Sequence, residues 1–178
     1  NGLGGWAFGT VVGASTRLYH GLLAASLEPP ARRVMLLARV EETLVVDGRR
    51  CSLAANEWAS GHVEAPGLPW LQRFALAPFP TWTYCIGDLI LKKRLFMRHG
   101  QNCTVIRYQI SGGSPGSPRR VTLELRPLLT FRSIHAVLRA NDWPFAQRAT
   151  GPSGVAVEAY PGAPRVYLAT DAGQYSER

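Results

Sequence analysis

An antiparallel two-layer β-sandwich is the fold class this sequence predicts, and three observations predict it. Apolar residues recur in short runs or strict alternation rather than at helical spacing. Turn dipeptides separate these runs at the short intervals typical of sandwiches. The chain is long enough for one domain, and 46% of its 178 residues are hydrophobic, enough for a sizeable core.

Taken in order, "GTVVGASTRLYHGLLAASL" reads as two strands around Gly13-Ala14-Ser15. "RRVMLLARV" is bounded by Pro29-Pro30. "EETLVVDGRRCSLAA" sets Asp47-Gly48 between two strand-like runs, a strong hairpin signal. Residues 55–69, rich in Gly, Pro and polar groups, read as a long loop. "TWTYCIGDLILKKRLFM" reads as a second hairpin turning at Gly87-Asp88. "NCTVIRYQI" and "RVTLELRPLL" add strands around the loop "SGGSPGSPR". In the latter strand Val121, Leu123 and Leu125 share one face, and Thr122, Glu124 and Arg126 the other. Residues 130–144 fit a short helix or irregular chain. "GVAVEAY" and "PRVYLAT" flank Pro161-Gly162 as a third hairpin. At least eight strands result, in a single domain over 1–178.

The charge balance excludes little by sign and more by arrangement. Twenty basic and twelve acidic residues give +8, yet eighteen of the basic residues are scattered arginines without a run. Nucleic-acid binding calls for a clustered basic face, and the sequence displays none. No run reaches the length of a membrane helix, and no signal peptide precedes the first block. Three cysteines, Cys51, Cys85 and Cys103, are too few and too far apart for a disulfide framework and suit the cytoplasm. The four histidines have no metal-ligand spacing, so neither a metal nor an organic cofactor is implied. Asn102-Cys103-Thr104 has the form of a glycosylation acceptor but reads as chance without a secretion signal.

Candidate chemistry concentrates at the start. Gly2, Gly4, Gly5 and Gly9 make the first ten residues a side-chain-poor backbone. A phosphate cradle would need a strand before it and a helix after it, and neither context is present. "STRLYHGLL" follows; on a strand, Arg17 and Tyr19 face one way and Leu18 and His20 the other. The bland reading makes Arg17 an ion-pair partner, Tyr19 a packing residue and His20 a hydrogen-bonded core histidine. Glu41 and Glu42, being adjacent, point to opposite faces on a strand and cannot straddle one bond as a hydrolytic pair would. Glu57, beside Asn56 and Trp58, is the best lone acid for a ligand contact, or an ordinary exposed loop glutamate. Trp6, Trp58, Trp70, Trp82 and Trp143 lie near Gly or Pro, where each either plugs an end of the core or offers a sugar a ring with one polar tip.

"NGLGGWAFGTVVGASTRLYHGLLAA" resembles the N-terminal signature of bacterial and archaeal-type glycogen debranching enzymes, the amylo-α-1,6-glucosidases. The similarity continues in "VMLLARVEETL", "ANEW", "FPTWTY", "LKKRLFMRHGQNCTVIRY" and "LELRPLLTFRSIHA", covering residues 1–135 well and the rest loosely. It implies a supersandwich-like N-terminal domain that precedes a catalytic (α/α)6 toroid. In that family the toroid carries the catalytic carboxylates, so the resemblance implies no catalytic residue here. It implies as partners an α-glucan (glycogen or branched maltodextrin) and the C-terminal helical domain of the same parent chain. The family pattern Arg-Asp-aromatic-His stands here as Arg132-Ser133-Ile134-His135, so no role requiring a carboxylate at 133 carries over. Asn1, Trp6, Arg17, Tyr19, His20 and Glu57, with Trp82 as a further candidate, are expected to form a rim against glucan or toroid. Two other readings stay open at this point: a free-standing glycan-binding module, and a small hydrolase built on Glu57. A sandwich cut from its parent leaves an unpaired sheet edge, which invites a homodimer and disorder near residues 113–117.

Overall fold

The computed structural model describes residues 1–114, 119–138 and 145–176. Fourteen strands run in order: β1 Trp6–Phe8, β2 Gly21–Glu28, β3 Arg32–Val46, β4 Arg49–Ser52, β5 Asn56–Glu57, β6 Val63–Glu64, β7 Leu71–Ala75, β8 Thr81–Ile86, β9 Leu89–Met97, β10 Thr104–Gly112, β11 Val121–Ser133, β12 Ala146–Gly151, β13 Gly154–Glu158 and β14 Val166–Ala169. Every ladder is antiparallel. Among the described residues there is no α-helix, only a 3-10 turn over Leu68–Trp70.

The chain divides into two compact units, residues 1–136 and 137–178. In the first, one sheet has the order β1-β2-β3-β11, with β4 also paired to the long β3, and a second has the order β10-β9-β8-β7. Their inner faces meet in one core. Leu44 and Val46 of β3 and Cys51 of β4 pack with Tyr84 and Ile86 of β8 and Leu89 and Leu91 of β9. Alternation puts these residues inward and their neighbours outward. The same alternation sends Val121 and Leu123 to the core while Glu124 and Arg126 pair outward with Arg50 and Glu41. The second unit is a three-stranded sheet, β12-β13-β14, in which Glu158 accepts hydrogen bonds from the Gly162 amide and Arg165 Nε at its turn.

All three hairpins form. Asp47 and Gly48 both take positive φ (50° and 85°), the pattern of a type I′ turn. Gly87 alone takes it between β8 and β9, the glycine-first pattern of type II′. β13 and β14 pair across the segment holding Gly162.

Three expectations need correction. Residues 10–20 are not a strand: Gly13 N–H bonds to Thr10 O, His20 N–H to Arg17 O, and Gly13 has φ of 85°, so the segment coils. The two apolar runs after Pro30 are one 15-residue strand, β3. The loop over 55–69 holds the small β5–β6 hairpin and the 3-10 turn. The expected disorder near 113–117 falls mostly on residues outside the described ones; Gly113 N–H and Ser114 Oγ themselves bond to Asp88. Of the stretch 130–144, expected to be a short helix or irregular chain, residues 130–133 continue β11 and 139–144, with Trp143, lie outside the described residues.

Candidate functional site

The glycine-dense start closes onto its own sandwich. Asn1 Oδ1 accepts the amides of Leu3 and Gly5, while its Nδ2 donates to Gln101 O and Asn102 Oδ1. A Cβ on Gly2 would stand 2.6 Å from the His99 ring, and one on Gly5 2.6 Å from the Ala24 carbonyl oxygen. These two glycines therefore serve close internal approach. Asn102 in turn donates to Ser26 O at 2.7 Å and accepts from Ser26 N at 3.0 Å, and Thr104 Oγ1 donates to Leu22 O at 2.5 Å. Both polar residues of the Asn-Cys-Thr tripeptide are thus engaged on β2, in agreement with its reading as chance.

Trp6 and Tyr19 form the nucleus of a surface rim. Trp6 packs on the buried cluster of Ala24, Met35 and Ile134, and its Nε1 donates to Tyr19 O at 3.1 Å. The Tyr19 ring stands edge-on to Trp6 and to His135, with centroids 6.3 and 5.9 Å away. Its hydroxyl lies 3.2 Å from His135 Nδ1. Arg33 lies over the Trp6 ring at 5.6 Å. Tyr19 is 43% exposed and Phe8 54%, so the rim presents aromatic surface to solvent.

Within the coil of residues 10–20, Tyr19 points to the surface and His20 to the interior. His20 is buried, its Nδ1 accepts the Thr16 amide at 3.1 Å, and Phe8 meets its ring at 4.8 Å. An accepting Nδ1 places the proton of the neutral ring on Nε2. Burial, and then the nearby Arg17 guanidinium, hold its pKa below the usual histidine value. Arg17 itself is exposed. His20 therefore carries the core role that the bland reading assigned to it.

The remaining candidates stand apart from this nucleus. Glu57 is exposed on β5, opposite Val63, whereas Glu64 lies opposite Asn56. Directly paired residues share a face, so Glu57 and Glu64 point to opposite sides and cannot flank one bond. Trp82, on β8 of the second sheet, packs against the main core, yet its Nε1 donates to Val11 O at 2.7 Å and so ties the rim segment to that sheet. Trp70 also packs on the core, while Trp58 at the β5–β6 tip is 54% exposed.

Sequence reasoning missed His135 of the rim and two further contributors. Arg132 reaches Leu18 O at 2.6 Å and Ala136 O at 3.0 Å, clamping the turns that carry Tyr19 and His135. Burial lowers its pKa, since its partners are carbonyls rather than carboxylates. The second is Glu42, nearly buried between the sheets, where it takes Lys93 Nζ at 2.5 Å and Tyr108 OH at 2.7 Å on Oε1. Burial first, and then the Glu42 charge, push the Tyr84 and Tyr108 phenols well above the ordinary tyrosine value. The quoted block "LELRPLLTFRSIHA" contained Arg132; Glu42 gave no signal because its role depends on β9 and β10.

Among the described residues none of these rim contacts involves a carboxylate, so the rim does not supply the paired carboxylates that glycoside hydrolysis uses. The family model described as glycogen debranching enzyme N-terminal matches residues 1–178, the whole chain. The chain belongs to that family. No curated protein and no solved structure matches it. Among the described residues its regular structure is antiparallel strand apart from one 3-10 turn, which agrees with the expected fold class. Among the described residues no helix is long and apolar enough to cross a membrane.

Proposed function

We propose that this chain is the glucan-handling and toroid-docking N-terminal domain of a cytoplasmic debranching hydrolase that cleaves α-1,6-glucosidic branch points. The observation that carries the reading is the rim of Trp6, Tyr19 and His135. Sugars offer C–H faces and hydroxyls. An exposed tyrosine ring edged by a tryptophan, with hydroxyl and imidazole at its tip, matches both. Family membership supports the same reading, and the absence of carboxylates among the rim contacts fits a domain that binds while a partner domain hydrolyses.

Co-sedimentation of this chain with glycogen tests it. Tyr19→Ala and His135→Ala should each lower retention at least about fivefold, roughly 1 kcal/mol. Their circular dichroism and thermal midpoints should stay near wild type, because both side chains lie at the surface. Full retention by both variants would overturn the glucan role.

A further inference from the structure

The two sheets of the larger unit treat charge differently on their outer faces. On the β3–β11 sheet three arginines are matched by carboxylates: Arg39 and Arg126 share Glu41, and Arg50 holds Glu124 through two bonds, while exposed Arg49 of β4 has no carboxylate partner among the described residues. The outer face of the β7–β10 sheet carries Arg73, Lys92, Arg94 and Arg107, all exposed. Among the described residues none of these four has a hydrogen-bonding or ion-pair partner, and β7–β10 contain no Asp or Glu. Four unmatched cations on one face account for half of the +8 net charge. The scattered arginines of the sequence are thus gathered by strand register.

Register also fixes their spacing. Arg107 lies directly opposite Arg94, about 5 Å away across the ladder. Lys92 precedes Arg94 by two residues, about 7 Å along the strand. Arg73 pairs with Thr83, which pairs with Lys92, so these two cations lie about 10 Å apart. Carboxylates on successive turns of a helix repeat at about 5–6 Å, a spacing that this lattice can meet. Guanidinium forks favour planar carboxylates. Single-stranded nucleic acid would want open rings to stack on. Between the cations themselves stand Thr81 and Thr83; Phe96 on the same face is half-buried against Phe79, and Phe79 is 42% exposed, so a comparison with oligo-dT is what decides against stacking.

We infer that this face, Arg73, Lys92, Arg94 and Arg107, docks an acidic helical protein surface, that of the catalytic domain of the same enzyme. The inference rests on the docking role proposed above. It assigns docking to the second sheet and leaves the Trp6–Tyr19 rim for glucan.

Two measurements test it. The first is fluorescence anisotropy with labelled poly-L-glutamate on this chain, at low salt. The triple variant Lys92→Gln/Arg94→Gln/Arg107→Gln should bind at least tenfold more weakly. Arg49→Gln/Arg120→Gln/Arg148→Gln, removing equal exposed charge elsewhere, should lose no more than about threefold. Equal losses, or tighter binding of oligo-dT than of poly-L-glutamate, would overturn the face assignment. The second is limited proteolysis of the full-length enzyme. The face variant should raise the rate of cleavage between domains at least tenfold, and added salt should do the same to wild type. An unchanged rate would overturn the catalytic domain as occupant. Glycogen co-sedimentation of the same variant should stay at the wild-type level, so failure of the glucan reading registers separately.

Discussion

Replacing Lys93 with methionine removes one charge from between the sheets and little volume. Glu42 is then left with a side chain only 5% exposed and Tyr108 as its remaining polar partner. Lys93 is itself 13% exposed, so solvent screens the pair weakly. Breaking a buried pair in this way costs about 3–5 kcal/mol, because the orphaned charge stays desolvated. The ammonium also lies 5.3 Å from the Trp82 ring, a contact worth about 0.5–1 kcal/mol. Methionine retains the apolar stem, which places the expected loss near the lower end, about 3 kcal/mol. With a urea m-value of about 2–3 kcal/mol/M, the midpoint falls by roughly 1–1.5 M. Far-UV circular dichroism is the suitable probe, since Trp82 fluorescence is altered directly. The double variant Glu42→Gln/Lys93→Met removes both charges and should recover most of the loss, with a coupling of about 2–3 kcal/mol. A single-variant cost below about 1 kcal/mol, or a double variant that loses the sum of both singles, would refute the reasoning.

Acid should destabilise the fold partly through His20. Its folded pKa is depressed below the usual 6.5, so the unfolded chain takes a proton first. The contribution is present above about pH 6.5 and is lost as pH falls toward the lower folded value. His20→Asn, which keeps an acceptor for the Thr16 amide, should flatten that part of a urea-midpoint profile, and profiles of equal slope would count against it. Gly5→Ala should cost about 1–3 kcal/mol by thermal unfolding, since backbone opposes its Cβ. Gly9→Ala, facing open space, should stay within about 0.5 kcal/mol; equal effects would argue against close approach as the reason for Gly5. Asn102→Ala should cost about 1–3 kcal/mol by leaving the Ser26 amide and carbonyl unpaired, and a midpoint unchanged in chemical denaturation would remove that role.

What the sequence disclosed follows from how local each cause is. Asp47-Gly48 and Gly87-Asp88 set their turns by backbone preference alone, so both hairpins were readable. Val121 and Leu123 reach the core and Glu124 and Arg126 pair outward as their alternation predicts, while Leu125, expected on the apolar face, is 42% exposed. The segment "GTVVG" failed because its β-branched residues suit a strand, whereas Gly13 and the Thr10–Ala14 contacts bend it. Trp6 and Tyr19, both expected in the rim, do meet. Their link to His135 spans more than a hundred residues, and spacing alone does not reveal it. The cationic face was invisible for the same reason: Arg73 and Arg107 come to share one face only through the ladders that join β7, β8, β9 and β10.

The clasp that Asn102 and Thr104 make on β2, with Asn1 bonded to Asn102 behind it, gives the sandwich a direction that oily contact lacks. Greasy layers can slip past one another at little cost, whereas hydrogen bonds with fixed angles resist sliding. Trp82, holding Val11 from the opposite layer, adds a second fastening. The height of Tyr19 above the surface is therefore set by both layers at once, and trimming the first five residues for convenience would unfasten the rim before it exposed any core.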